Sequence, residues 1–108
     1  MGTPFEDMAE IDRLVHEPAR LAITSALLSC ESADFLFLQR ITGLSKGNLS
    51  SHLTKLATGG VVRVDKTSDR RSRTTVTLTE QGRTAVAEHW DRLMRLREAA
   101  ERWNGHPR

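Results

Sequence analysis

Between Leu44 and Val62 the chain reads LSKGNLSSHLTKLATGGVV, a stretch without a single acid. Ser45, Lys46, Gly47, Asn48, Ser50, Ser51, Thr54 and Lys55 are small, polar or cationic, and His52 joins them at the edge. A second cluster follows in TSDRRSR, with Arg70, Arg71 and Arg73 beside Asp69. Hydroxyl, amide and ammonium groups of this kind hydrogen-bond to base edges, and guanidinium groups pair with phosphate in bidentate fashion. The chemistry on offer is recognition of a polyanion, not bond breaking. No G-x-S-x-G, phosphate-binding loop or dinucleotide fingerprint is present, and no spacing of His and Asp suggests a triad. An enzyme is not expected.

The charge distribution agrees. The whole chain carries only +2, but residues 1–44 sum to −4, residues 45–78 to +5 and residues 79–108 to +1. Positive charge gathered in the middle third implies an anionic partner such as nucleic acid. The alternative for that feature is a merely solvated basic face. His16, His52, His89 and His106 lack compact spacing with cysteine or carboxylate ligands, so neither a metal site nor a cofactor is expected. Cys30 is the single cysteine, which excludes an internal disulfide framework and fits a reducing cytoplasm. It reads as a packing residue rather than a redox switch, because no basic neighbour in sequence lowers its pKa. The acidic start MGTPFEDMAEIDRL lacks a signal core, and no run of about 18 apolar residues exists to span a membrane.

The elements that hold these residues follow from periodicity. At 108 residues and 38% hydrophobic content, one domain over 1–108 with a small core is expected. Residues 6–15 predict a short N-terminal helix with Met8, Ile11, Leu14 and Val15 on one side. Pro18 suits the first position of a second helix running to about Ser29. ESAD is expected to be a loop, and Phe35 to Thr42 a third helix closed by Gly43. Ser45 can cap the next helix, which Gly59-Gly60 stops. On it Leu49, Leu53 and Leu56 fall within a sector about 60° wide, and the small polar residues cover the opposite half. Leu49, Leu53 and Leu56 are therefore core, and Asn48, Ser51 and Lys55 are the strongest candidates for contact with DNA. His52 either donates to a base or phosphate or packs at the core edge. Gly47 either permits close approach or relieves crowding near the turn. VVRVDK and TTVTL alternate as strands around the basic tip. A last helix, capped by Thr79, extends to about Trp103. Val86, Leu93 and Ala100 recur at seven, as do His89, Leu96 and Trp103, and Trp90 lies beside them. That stripe predicts a dimer interface.

The order helix, turn, helix, basic hairpin, helix predicts a mostly α fold with a small β-hairpin wing. It is a winged helix-turn-helix over 16–78 followed by a C-terminal dimerisation helix over 79–103. At this point ITGLSKGNLSSHLTKLATGGVV followed by DRRSRTTVTLTEQG resembles short stand-alone winged-helix transcriptional regulators akin to the MarR, ArsR and PadR groups. The resemblance covers about residues 16–88. The S-x-H-L core of these regulators matches Ser50, His52 and Leu53. The stretch DRR, a strand and LTEQG is similar to the MarR wing, where an aspartate steadies an arginine that enters the minor groove. By position these are Asp69 and Arg71. The spacing from Arg71 to LT is about one residue longer than the usual pattern, so Arg70 or Arg73 is open to that role. Typical MarR members are longer at the N-terminus, so this chain would dimerise with less material, and the cysteine-containing metal motif of the ArsR group is absent.

The resemblance implies a prokaryotic, cytoplasmic homodimer that binds a palindromic double-stranded operator, in most cases as a repressor. Such regulators often lose DNA affinity on binding a small molecule or oxidising a cysteine, so an unknown small-molecule effector is implied too. The other class open to this fold is a protein-interaction or architectural module, against which the basic middle third weighs.

Overall fold

A computed structural model of the chain describes residues 10–67 and 72–104. Five helices and three strands run in the order α1 (Glu10–Val15), α2 (Pro18–Leu28), β1 (Ala33–Asp34), α3 (Phe35–Thr42), α4 (Lys46–Thr58), β2 (Val62–Lys66), β3 (Thr74–Leu78) and α5 (Glu80–Asn104). Residues 6–9 of the expected first helix lie outside the described residues.

Local chemistry sets most boundaries. Pro18 opens α2, where a missing N–H costs nothing, and the Glu17 carboxylate accepts the N–H groups of Ala19 and Arg20 at 3.0 Å each. Gly43 ends α3 in a left-handed conformation (φ 71°) that glycine tolerates best. The C-terminus of α2 is closed from afar: the Arg83 guanidinium donates to the carbonyls of Leu28 and Cys30, both at 3.1 Å. A cation there meets the negative end of the helix dipole.

One expectation is corrected. The segment expected as a loop, ESAD, contains β1, so the wing hairpin is two strands of a three-stranded antiparallel sheet in the order β1-β3-β2. Ala33 pairs with Val76 and Asp34 with Thr75. Two residues are too few for a period-2 signal, and their partners lie more than forty positions away. β2 pairs with β3 over five residues, from Val62 opposite Leu78 to Lys66 opposite Thr74.

The core joins all layers. Val15, Ile23, Leu27, Leu38, Leu49, Leu53, Leu56, Val61, Val76 and Val86 are buried together. Gly82 shows how tightly α5 docks. A Cβ there would lie 2.0 Å from the Val61 carbonyl oxygen, so only glycine permits this approach. The Thr79 hydroxyl completes the junction by donating to the Gly60 carbonyl at 2.6 Å and accepting the Gly82 N–H at 2.9 Å.

Candidate nucleic-acid interface

The helix α4 separates its two faces sharply. Leu49, Leu53 and Leu56 are buried, whereas Ser45, Lys46, Gly47, Asn48, Ser50, Ser51, Thr54 and Lys55 are all exposed. The Ser45 hydroxyl caps the helix by accepting the Asn48 N–H at 3.1 Å. Its first turn therefore presents N–H groups and the positive end of the dipole to solvent, an arrangement that suits phosphate. A Cβ on Gly47 would meet no neighbour within 4 Å among the described residues, so this glycine relieves no crowding inside the protomer. Thr54 turns its hydroxyl back to the Ser50 carbonyl at 3.0 Å, which leaves less of its polarity facing outward.

Beside α4 runs a groove of about 920 Å³ between the start of α3, the exposed side of α4 and the wing. Lys46, Lys66 and Arg73 bring positive charge to it, and Leu36, Leu53 and Val64 form its apolar parts. The acid at its edge, Asp34, is engaged in capping α3, where it accepts the Phe37 N–H at 2.7 Å. Asp65 faces Arg63 at 2.9 Å. The base of the wing is closed by Thr67 and Arg73: the Thr67 N–H donates to the Arg73 carbonyl and the Arg73 N–H to the Thr67 hydroxyl, each at 2.9 Å. Ser72, at φ 38°, takes the left-handed turn into β3. Asp69, Arg70 and Arg71 lie outside the described residues. Lys66 was not singled out by the sequence, because a lysine at a strand end carries no periodic signal.

His52 points elsewhere. Its side chain is half-buried, with Nδ1 at 3.4 Å from Glu17 Oε2 and 3.3 Å from Arg20 Nη1, both at the start of α2. Partial burial works against the Glu17 carboxylate. The N–H groups of Ala19 and Arg20 and the charges of His52 and Arg20 outweigh that cost and hold its pKa below the ordinary carboxylate value. Sequence reading missed Glu17 and Arg20, since only tertiary contact brings them to α4.

The stripe on α5 divides in two. Val86 and His89 lie inside the protomer, each 1% exposed or less. There His89 Nε2 meets His16 Nδ1 at 3.0 Å, and Asp12, itself buried, pairs with Arg92. Val86 belongs to the hydrophobic core, and His89 is met by Asp12 of α1 and by His16, so neither offers surface to a partner. The outward part starts at Trp90, which donates its indole N–H to the Ser25 hydroxyl at 2.8 Å and keeps 37% exposure. Leu93, Leu96 and Ala100 are half-buried, Met94 is 47% exposed and Trp103 71% exposed. Among the described residues no group of three His, Cys, Asp or Glu could hold a metal ion, and no helix is long and apolar enough to cross a membrane.

Comparison with known proteins bears on this geometry. The family described as winged helix DNA-binding domain matches residues 19–96. No curated protein matches the chain. A transcriptional regulator homologue from Pyrococcus horikoshii OT3 superposes with a TM-score of 0.78 at 30% identity, over 82% of this chain and 88% of that one. A MarR-family transcriptional regulator from Enterococcus faecalis V583 gives 0.71 at 17% identity, over 90% and 87% of the two chains. The PcaV transcriptional regulator from Streptomyces coelicolor, solved in complex with its natural ligand, gives 0.63 at 21% identity, over 77% and 58%. The last two are likenesses of fold. With its capped, acid-free α4, its cationic groove and a family match running from α2 into α5, the chain belongs to the winged helix DNA-binding domain family.

Proposed function

We propose that the protein is a sequence-specific, double-stranded DNA-binding transcriptional regulator. It acts as a homodimeric repressor in a prokaryotic cytoplasm. The observation that carries this reading is the outer face of α4, short-chained, acid-free and opposite three buried leucines. Such a face can enter a major groove without steric or electrostatic penalty. Asn48, Ser51 and Lys55 read base edges, and Ser45, Lys46 and Gly47 meet phosphate at the helix start. Arg70, Arg71 and Arg73 of the wing reach backbone or minor groove, with Asp69 supporting them, and Lys66 and Lys46 line the path between. Two copies related by a two-fold axis read a palindrome with half-sites about one helical turn, ~34 Å, apart. A small-molecule effector is part of the proposal, by analogy with the ligand-bound PcaV regulator.

Selection of bound duplexes from a random pool tests the reading. A palindromic consensus is expected. Arg71→Ala and Arg73→Ala should each weaken selected and random duplexes together, and flatten the slope of log affinity against log salt by roughly 0.9 for each phosphate that a subunit no longer neutralises. Binding with no sequence preference would favour an architectural module instead. No affinity for duplex DNA would remove the reading altogether.

A further inference from the structure

The corner between α1 and α2 grips two helices at once. On one side, Leu14 lies against the end of α4, so close to Gly59 that a Cβ on that glycine would come within 2.3 Å of Leu14 Cδ2. Glu17 and Arg20 then reach the middle of α4 through His52 Nδ1. Arg20 is itself fixed, because its Nε–H donates to the Leu14 carbonyl at 2.5 Å and its guanidinium stands 3.8 Å from Glu17. On the other side, Asp12 and His16 hold α5 through Arg92 and His89. The short stretch from Asp12 to Arg20 thus carries polar contacts to the DNA-facing helix and to the long terminal helix.

These contacts are mostly shielded from water. The side chains of Asp12 and His89 are 4% and 2% exposed, and those of Arg20, His52 and Glu17 are 14%, 20% and 32% exposed. Shielded charge pairs with defined partners fix geometry, because any other arrangement leaves a charge without its partner. The atom Nδ1 of His52 faces a donor, Arg20, and an acceptor, Glu17, at nearly the same distance. Either way, the contact at Nδ1 ties this α4 residue to the start of α2.

We propose that Glu17 and Arg20 are positioning residues for DNA reading, which set the placement of α4 relative to α5 through His52. This rests on α4 being the recognition helix and α5 the dimer helix. In a dimer joined through α5, the separation of the two recognition helices is fixed by the α4–α5 geometry of each protomer. The corner therefore governs how strictly a half-site spacing is read, without touching DNA.

The test uses the full chain and the duplex selected from a random pool. Companion duplexes have the central spacer lengthened or shortened by one base pair. Arg20→Gln should lower affinity for the selected duplex about tenfold, as removal of one well-made base contact would. Affinity for random duplex should stay within about twofold, and the penalty for an altered spacer should shrink. Glu17→Gln keeps one of the two oxygens that accept N–H groups of α2 and removes the charge, so it should fold even where Arg20→Gln does not, and it should shift the spacer preference in the same direction. On a His52→Ala background, Arg20→Gln should cost little more, because its route to α4 is already cut. Additive losses, equal loss on selected and random duplexes, or a changed salt slope would each overturn the proposal. A wild-type chain without site preference would overturn both it and the recognition-helix reading. A wild type with site preference and variants that keep the spacer penalty would overturn the positioning role alone.

Discussion

His89 is a histidine kept neutral by its surroundings. Burial lowers its pKa first, His16 and Arg92 add to this, and Asp12 opposes it, leaving the pKa below the ordinary value of 6.5. A group depressed on folding contributes stability that is present above its unfolded pKa and lost as pH falls through the folded one. Thermal unfolding should therefore show a melting temperature that declines as pH drops from about 7 toward 5. His89→Gln should flatten that decline, whatever it does to stability at neutral pH. An unchanged slope in the variant would exclude His89 as its source. Gly82 makes a second, steric prediction. Gly82→Ala places a methyl against the Val61 carbonyl, which is backbone and cannot swing aside. The expected loss is about 1–3 kcal/mol in denaturant unfolding, as for other overpacked sites.

The helix α4 carries the sharpest division between stability and recognition. Leu53 is 4% exposed and Asn48 is exposed. Leu53→Ala should cost about 2–5 kcal/mol of stability through the cavity it leaves. Asn48→Ala or Ser51→Ala should leave the melting curve nearly unchanged and alter base preference, by about 1–3 kcal/mol for each well-made hydrogen-bonded base pairing removed. The reverse pattern would mean that the faces are exchanged. This element was legible in the sequence, because its cap, leucine period and glycine stop all lie close together in the chain. So were Gly43 as the end of α3 and Thr79 as the start of α5. The strand β1 was not, since its existence depends on Val76 and Thr75 and not on its own two residues.

The protomer measures 64 × 25 × 22 Å, and its 25-residue α5, about 37 Å long, helps make it elongated. Trp90, Met94 and Trp103 remain exposed on that helix, with Leu93, Leu96 and Ala100 half-buried among them. A row of large apolar side chains left open in this way favours burial against a second copy. Sedimentation equilibrium at micromolar concentration should find a dimer. Leu93→Asp combined with Leu96→Asp should give a folded monomer without most of its specific DNA affinity. An intact monomer that binds a palindrome tightly would sink the dimer model. The stripe usable for pairing is shorter than heptad spacing suggested, because Val86 and His89 are buried inside the protomer.

Sequence alone determined whatever depends on near neighbours and on residue chemistry. Capping by Ser45, the leucine face of α4, the alternation of β2 and β3, and the positive middle third are all local, and their physics acts over a few residues. Only the tertiary structure decided which member of a periodic pattern is already used. Heptad spacing places Val86, His89, Leu93 and Leu96 on one side of α5, yet the first two are buried inside the protomer and the other two are only half-buried. It likewise decided that His52 turns to Glu17 and Arg20, more than thirty positions away, and that Asp12 enters the core to meet Arg92. The reason is the same in each case. A helix face has a direction that periodicity reveals, but what lies opposite it is set by how the chain returns, and charged groups settle where their partners exclude water.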